Sequence, residues 1–257
     1  MSTPPKDQRK RVTLTKLAEM RALGEPIVMI TAYDHPSALV VEQAGVDVVL
    51  VGDSAANNVL GYADTVPVTV DELLMLAAAV RRGLRTPLLV GDLPFGSYEA
   101  SDAQAIATAH RFVKEAGCDA VKLEGGGAMA ERAKRVLDDA LELQEAGCFS
   151  IVFEAIPADV TDMIMHHMEV PVIGIGAGAS TDGQVLVLHD LLGIHDGHKP
   201  KFVRQYADVK GEMLRGVTAY AEDVRTRAFP APQHAYGIAP EELERLRAML
   251  PPHRTAV

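Results

Sequence analysis

Short, almost continuous apolar runs alternate along this chain with longer stretches in which apolar residues recur every three or four positions. Continuous runs are typical of parallel strands buried on both faces, and the three-to-four spacing is typical of helices with one buried face. Six runs indicate strands, within 27–34, 42–54, 86–95, 114–126, 144–157 and 170–178, and a weaker seventh candidate lies at 190–194. Helical patterns separate them, for example at 70–83 and at 101–117, where Ser101 and Asp102 provide an N-terminal cap.

Three of these segments, 42–54, 114–126 and 144–157, repeat one design: a helix end closed by glycine, a short turn, an apolar strand and then acidic residues. Such units build either an open doubly wound α/β sheet or a closed (β/α)8 TIM barrel. The barrel is favoured, because polar residues end many strands, whereas an open sheet concentrates its site at one switch point. These residues are Asp34, Asp53, Asp92, Glu124 and Glu154. The seven candidates are one strand short of a complete barrel.

Composition narrows the class of protein. With 257 residues and 48% hydrophobic content, the chain can bury a sizeable core, and we expect a single barrel domain over 1–257 that begins with a solvated basic tail over 1–15. A formal net charge of −10 argues against nucleic acid or an anionic membrane as a partner. No apolar run approaches the roughly 20 residues of a membrane span, and no signal-peptide pattern opens the chain, so a cytoplasmic location is expected.

The predicted strand ends carry charges that would meet at one mouth of a barrel. Carboxylates without cysteine suit a hard divalent cation, with Mg2+ ahead of Zn2+. Lys122 and Glu124 are two residues apart and so project from the same face of a strand. We expect Lys122 to neutralise a bound oxyacid or enolate, Glu124 to face the metal, and a carboxylate outside the metal ligands to remove a proton. The alternative is that these charges are solvated loop ends or structural ion pairs.

Two other patterns carry less chemistry. The run at 174–184, GIGAGASTDGQ, has the composition of a phosphate-binding turn before a helix, but it is equally compatible with a closely packed barrel corner. His189, His195 and His198 follow no standard zinc spacing, which favours groups at the surface or behind the site.

Several long motifs occur in the order of one known family. ITAYDHPSA, VLVGDSAANNVLGYADTVPVT, LLVGDLPFGSYEAS, AVKLEGG, IVFEAIPADV and VPVIGIGAGASTDGQVLVLHDLLGI together closely resemble the ketopantoate hydroxymethyltransferase family, from about Lys16 to about Tyr236. The resemblance implies a (β/α)8 barrel and a homo-oligomer, commonly a decamer. It also implies transfer of the one-carbon unit of methylenetetrahydrofolate to 3-methyl-2-oxobutanoate through a magnesium-bound enolate, a step of pantothenate and coenzyme A biosynthesis.

The same resemblance implies roles for single residues. Glu154 matches the catalytic base of the family, and the keto acid and the metal are assigned overlapping sets of residues. The keto acid is implied to bind at Asp53, Ser54, Asp92 and Lys122. Mg2+ is implied to bind at Asp53, Asp92 and Glu124.

The chain departs from the family in two places. Near Val136 and Leu137, the sequence lacks about one βα unit that the family carries between the motifs KLEGG and IVFEAIP. We favour omission of the segment from this sequence over its loss from the protein, because losing a central strand leaves the neighbouring strands unpaired. An extra helical tail occupies 237–257. Two alternatives to this function remain: a related magnesium-dependent barrel that acts as a 2-oxo-acid carbon–carbon lyase, and, because of the missing segment, a non-catalytic oligomer subunit.

Overall fold

Residues 9–124, 132–194 and 199–250 are described by a computed structural model, in which seven strands form one sheet. All strand pairs are parallel, in the order β4-β3-β2-β1-β7-β6-β5, so the fold is α/β and the described strands form a curled sheet open between β4 and β5. The strands are β1 Ile27–Thr31, β2 Val48–Val51, β3 Leu88–Asp92, β4 Ala120–Lys122, β5 Ile151–Glu154, β6 Val172–Ile175 and β7 Gly183–Leu186.

The six apolar runs all form strands, which confirms that part of the prediction. The seventh prediction was wrong, because most of 190–194 belongs to a short helix, and the seventh strand lies earlier, at β7. Gly183 opens β7 beside Ile27, where a side chain would place its Cβ 2.4 Å from the Ile27 carbonyl oxygen. The phosphate-turn reading of 174–184 was also wrong, since this run leads into a strand rather than a helix.

Helices connect most of the strands. The helical pattern at 70–83 is confirmed, and Ser101 caps the helix that follows it, accepting a hydrogen bond of 3.2 Å from the backbone nitrogen of Gln104. The helices are α1 Leu14–Leu23, α2 His35–Ala44, α3 Ala55–Asn58, α4 Val70–Gly83, α5 Asp102–Lys114, α6 Arg132–Glu145, α7 Ala158–Met165, α8 Leu188–Leu192, α9 Val209–Arg225 and α10 Pro240–Met249, with a 3-10 turn at Pro232–His234.

Both faces of the sheet are buried. Along β2, Val48 and Leu50 pack in one apolar cluster, whereas Val49 and Val51 pack in another that includes residues of α2 and α4. This alternation is the reason why the strands read as continuous apolar runs. Burying a valine or leucine side chain fully contributes about 1.5–3 kcal/mol, so these clusters hold the strand ends in place.

The chain before α1 contacts the sheet layer. The Val12 nitrogen donates a 2.8 Å hydrogen bond to the carbonyl oxygen of Thr86, and Arg11 forms an ion pair with Asp119. Residues 9–15 of the expected N-terminal tail are largely exposed, and these two contacts tie them to the body of the chain.

Helix α6 continues through the proposed junction at Val136 and Leu137 without a break. Leu137 and Leu141 pack against the apolar cluster beneath β5 and β6, where Ala140 is buried. The local backbone is thus ordinary helix on both sides of the junction.

The chain divides into two compact units, and the boundary follows Asp208. The second unit contains α9, the 3-10 turn and α10, and α10 lies within the expected C-terminal tail. Within it, the Phe229 ring lies 5.7 Å from the Tyr220 ring and 5.1 Å from the His234 ring. Among the described residues, no helix is long and apolar enough to span a bilayer.

Candidate metal centre at the strand ends

Three carboxylates meet beyond the carboxyl ends of β2, β3 and β4. Asp53, Asp92 and Glu124 each offer an oxygen, and these three oxygens lie within 4.8 Å of one another. The strands are adjacent and parallel, so their carboxyl ends fall at one edge of the sheet, as the sequence predicted. A set of oxygen donors alone fits a hard divalent cation such as Mg2+.

Lys122 lies among these acids. Its Nζ donates to both carboxylate oxygens of Asp92, at 2.9 Å each, and to Oε2 of Glu124 at 3.2 Å. The contact with Asp92 follows from strand register, because Asp92 and Lys122 are paired across β3 and β4. The two-residue spacing predicted Lys122 beside Glu124, whereas its contact with Asp92 depends on the pairing of the two strands.

Burial controls the charge of this pair. It raises the pKa of Asp92 to about 6, a rise that Lys122 opposes and the charge of Asp53 reinforces. Burial lowers the pKa of Lys122, but the charges of Asp92 and Glu124 outweigh it, so that the pKa lies above its usual range. Lys122 therefore stays cationic, whereas the charge of Asp92 depends on the cation beside it.

The loop after β2 brings backbone close to the acids. The Asp53 nitrogen donates to Oδ2 of Asp92 at 3.2 Å. A side chain at Gly52 would place its Cβ 2.9 Å from Oγ of Ser54 and 3.8 Å from Oδ2 of Asp92. Glycine at this position therefore lets the Asp53 loop approach β3.

Ser54 is held by two neighbours that the sequence reasoning missed. Its hydroxyl shares a 2.8 Å hydrogen bond with the Tyr33 hydroxyl, and its carbonyl oxygen accepts a 2.8 Å bond from Nδ2 of Asn58. Burial raises the pKa of Tyr33 to about 12, so the phenol stays neutral. The feature of the sequence that could have identified Tyr33 is its position two residues beyond the end of β1, on the same side as the acids.

Glu154 ends β5, at the opposite edge of the described sheet from β4. Partial burial raises the pKa of its carboxyl group, because loss of solvent disfavours the ionised form. The charges of Glu124 and Asp53 add to the rise, and the charge of Lys122 opposes it. Glu154 therefore experiences the electrostatic field of the acid cluster.

Tyr98 supports the same cluster, because its hydroxyl accepts a 3.2 Å hydrogen bond from the Glu124 nitrogen. Tyr98 was not among the site residues predicted from the sequence.

Two cavities lie at opposite ends of the strands. The larger, about 590 Å3, is lined by Ile27 and Gly183, the first residues of β1 and β7, and so lies away from the acids. The smaller, about 330 Å3, is lined by Tyr33 and Asn58 and lies on the side of the acids. His189 lines it as well, with its ring 5.3 Å from that of Tyr33, whereas His195 and His198 fall outside the described residues.

Solved structures similar to this chain share its fold. A 2,3-dimethylmalate lyase, a member of the PEP mutase/isocitrate lyase superfamily, superposes with a TM-score of 0.50 and 14% identity, covering 93% of this chain and 95% of the lyase. A phosphonopyruvate hydrolase in complex with oxalate and Mg2+ gives a TM-score of 0.52 at 14% identity, covering 92% of this chain and 97% of the hydrolase. At these identities the likeness concerns the fold alone.

Sequence comparison is more specific. The family model for ketopantoate hydroxymethyltransferase matches residues 11–136 and 127–232. A 3-methyl-2-oxobutanoate hydroxymethyltransferase of Desulforapulum autotrophicum is 44% identical over 259 residues, covering 88% of this chain and 98% of the relative. One of Carboxydothermus hydrogenoformans is 42% identical over 273 residues, covering 92% and 99%. The chain therefore belongs to the ketopantoate hydroxymethyltransferase family.

Proposed function

We propose that this protein transfers the one-carbon unit of methylenetetrahydrofolate to 3-methyl-2-oxobutanoate, forming ketopantoate (2-dehydropantoate) for pantothenate and coenzyme A biosynthesis. The observation that carries the proposal is the convergence of three carboxylates and Lys122 at the strand ends of a chain from this family. The names of its relatives, 3-methyl-2-oxobutanoate hydroxymethyltransferases, support the same reaction.

Asp53, Asp92 and Glu124 would hold Mg2+. The fit rests on their all-oxygen donor set and on the 4.8 Å limit that encloses their oxygens. When bound, Mg2+ supplies positive charge that polarises the keto group and acidifies the neighbouring carbon.

The remaining steps fall to the side chains around these acids. The ammonium of Lys122, with its raised pKa, provides a permanent charge for the oxygens of the keto acid. The Ser54 hydroxyl, oriented by Tyr33, can donate to the substrate carboxylate. Glu154 removes the C3 proton, and its raised pKa makes it a stronger base than an ordinary glutamate. The enolate carbon then forms a carbon–carbon bond with the one-carbon unit of the folate. In the complete reaction, the two bonds from this one-carbon unit to the folate nitrogens break, water supplies the hydroxyl group of ketopantoate, and tetrahydrofolate leaves with the second proton of that water and the proton taken from C3.

Incubation of the full chain with 3-methyl-2-oxobutanoate, methylenetetrahydrofolate and Mg2+ tests the reaction. We expect ketopantoate to form, as detected by mass spectrometry, and Glu154→Gln to abolish its formation. Asp159→Asn, a change in the first turn of α7, is the control and should leave the rate unchanged. Cleavage of a 2-oxo acid without folate-dependent transfer would favour the lyase alternative instead. Absence of both reactions from a folded protein would favour the non-catalytic subunit.

We also propose that the chain lacks one βα unit that its relatives carry between β4 and β5. The alignments with the two relatives span 259 and 273 positions, more than the 257 residues of the chain, yet they use only 88% and 92% of it. Each alignment therefore includes positions that the relative has and this chain lacks. The family model matches in two parts that meet at 127–136, and β4 and β5 are the edges of the described sheet. Inserting the corresponding segment of the Desulforapulum relative after residue 136 should raise the free energy of unfolding, because it pairs both edges. No gain would contradict the proposal.

Self-association is the third part of the proposal. Along α9, Met213, Val217, Tyr220 and Val224 recur at four- and three-residue spacing, and each is at least 44% exposed within the described structure. This spacing places them on one helix face, which a second copy of the chain could cover. Light scattering should show an oligomer that Val217→Ser weakens and the control Glu222→Gln does not. A wild-type chain that stays monomeric at all concentrations would contradict this.

A further inference from the structure

The smaller cavity shares a wall with the proposed keto-acid site. It opens beyond the carboxyl ends of β1 and β7, with a volume of about 330 Å3. Tyr33 and Asn58 line it, and both also hold Ser54, through hydrogen bonds of 2.8 Å to its hydroxyl and to its carbonyl oxygen. Because Ser54 follows Asp53 directly, a molecule in this cavity lies next to the acid cluster.

The lining of the cavity is apolar on one side and acidic at one point. Val59, Leu188 and Ile194 supply apolar surface, and Asp34 supplies a carboxylate. Oδ1 of Asp34 accepts a 2.8 Å hydrogen bond from the Ser37 nitrogen as the N-terminal cap of α2, which fixes the carboxylate. Within the described part of the chain, the hydrogen bonds to this carboxylate reach Oδ1 and leave Oδ2 available.

This chemistry suits a flat, neutral heterocycle with two parallel donors. A 2-oxo acid is negatively charged, and Asp34 would repel it. The pterin ring presents a ring N–H beside an amino group, an edge that a carboxylate can accept in a bidentate manner, as it accepts a guanidinium. A volume of about 330 Å3 lies at the lower end of the range for ligand pockets, which fits one bicyclic ring rather than a whole folate.

We propose that this cavity binds the pterin ring of the folate co-substrate, with Asp34 accepting hydrogen bonds from its ring N–H and 2-amino group. The inference rests on the proposed function and adds the residues that recognise the second substrate. A ring bound in this cavity lies next to Ser54, where the keto acid is proposed to bind, because Tyr33 and Asn58 contact Ser54 and line the cavity.

Titration calorimetry of the full chain with tetrahydrofolate, in the presence of Mg2+ and 3-methyl-2-oxobutanoate, tests the assignment. Asp34→Asn keeps an N-terminal cap but loses the charge, so we expect it to weaken tetrahydrofolate binding by at least about tenfold, the effect of a hydrogen bond to a charged group. Asp47→Asn is the matched control, because Asp47 also accepts a backbone hydrogen bond, from Val28 at 2.9 Å, but precedes β2 at the other end of the sheet. It should bind tetrahydrofolate as the wild type does.

A second variant tests the cavity without touching the cap. Val59 is 43% exposed, so Val59→Phe can be accommodated while its ring occupies part of the cavity. We expect at least about fivefold weaker tetrahydrofolate binding. Unchanged tetrahydrofolate affinity in Asp34→Asn would overturn the assignment. If Asp34→Asn does not fold, unchanged affinity in Val59→Phe would overturn it.

Deuterium exchange at C3 of 3-methyl-2-oxobutanoate, which requires no folate, separates this inference from the proposed function. Exchange that persists in all variants while tetrahydrofolate affinity falls in Asp34→Asn supports both. Exchange with unchanged affinity overturns the pterin assignment alone. The wild-type chain could instead catalyse no exchange while Asp34→Asn still weakens tetrahydrofolate binding selectively. That result supports the pterin assignment and refutes the proposed function.

Discussion

Replacing Lys122 by methionine removes the cation beside Asp92 and keeps a side chain of similar length. The side chains of Asp92 and Lys122 are only 3% and 17% exposed, so solvent screens their contact weakly. Removing one partner of a buried ion pair typically costs about 3–5 kcal/mol, because the other charge is left uncompensated. Glu124 adds little to this loss, since its side chain is 59% exposed.

Asp92 can escape part of the cost by taking up a proton. Its pKa is already raised from 3.8 to about 6 with Lys122 present, and loss of the cation raises it further. A carboxyl group with a raised pKa in the folded state holds its proton more tightly there than in the unfolded chain. The free energy of unfolding therefore falls as the pH rises from the unfolded-state pKa through the raised pKa. We therefore expect Lys122→Met to cost about 2–4 kcal/mol at pH 8 and less than about 1 kcal/mol at pH 5.

Urea unfolding followed by circular dichroism at both pH values measures the difference. Arg111→Met is the control, because Arg111 forms ion pairs with Asp71 and Glu115 on the surface, where its side chain is 43% exposed. Its effect should be much smaller and similar at the two pH values. A loss for Lys122→Met that is equal at pH 5 and pH 8, or no larger than that of Arg111→Met, would refute the reasoning about the buried pair.

Three further predictions concern the same site. Glu124→Gln should weaken Mg2+ binding by about tenfold in calorimetry, because a carboxylate ligand loses its charge, whereas the surface change Glu115→Gln should not; equal affinities would contradict the metal assignment. The rate of C3 exchange should rise with pH as Glu154 ionises, because only its carboxylate form accepts the proton and partial burial raises its pKa. A rate that stays constant across the acidic pH range would contradict its role as the base. Tyr33→Phe removes the hydrogen bond to Ser54, so it should raise the KM for the keto acid several-fold and lower the free energy of unfolding by about 1 kcal/mol. Tyr62→Phe, which breaks a surface contact with Glu72, should leave the KM unchanged. A comparable rise in both variants would argue against a role for Tyr33 in orienting Ser54.

The sequence predicted the parts of the fold that are encoded locally. Buried parallel strands produce apolar runs, so six strands were evident, and the acids that follow β2, β3 and β4 were expected to converge. Strand β7 escaped notice because Gly183 and Gln184 interrupt its apolar character. Its glycine is required by the packing against Ile27, which is a long-range contact.

Other features depend on register and tertiary packing, which a single sequence does not specify. Lys122 contacts Asp92 because β3 and β4 pair these two residues directly. Tyr33 reaches Ser54 across neighbouring strands, and the cavity beside it combines residues from the ends of β1, β2 and β7. The roles of Glu154 and Ser54 rest on the family resemblance and on these positions together.

Deuterium exchange at C3 of 3-methyl-2-oxobutanoate, measured with and without Mg2+, tests the central claim most directly. It depends on the acid cluster, Lys122 and Glu154, and it requires no folate. The proposed site predicts exchange by the wild-type chain that depends on Mg2+ and disappears in Glu154→Gln. A folded chain that binds Mg2+ but catalyses no exchange would contradict the claim that these residues form a working enolisation site.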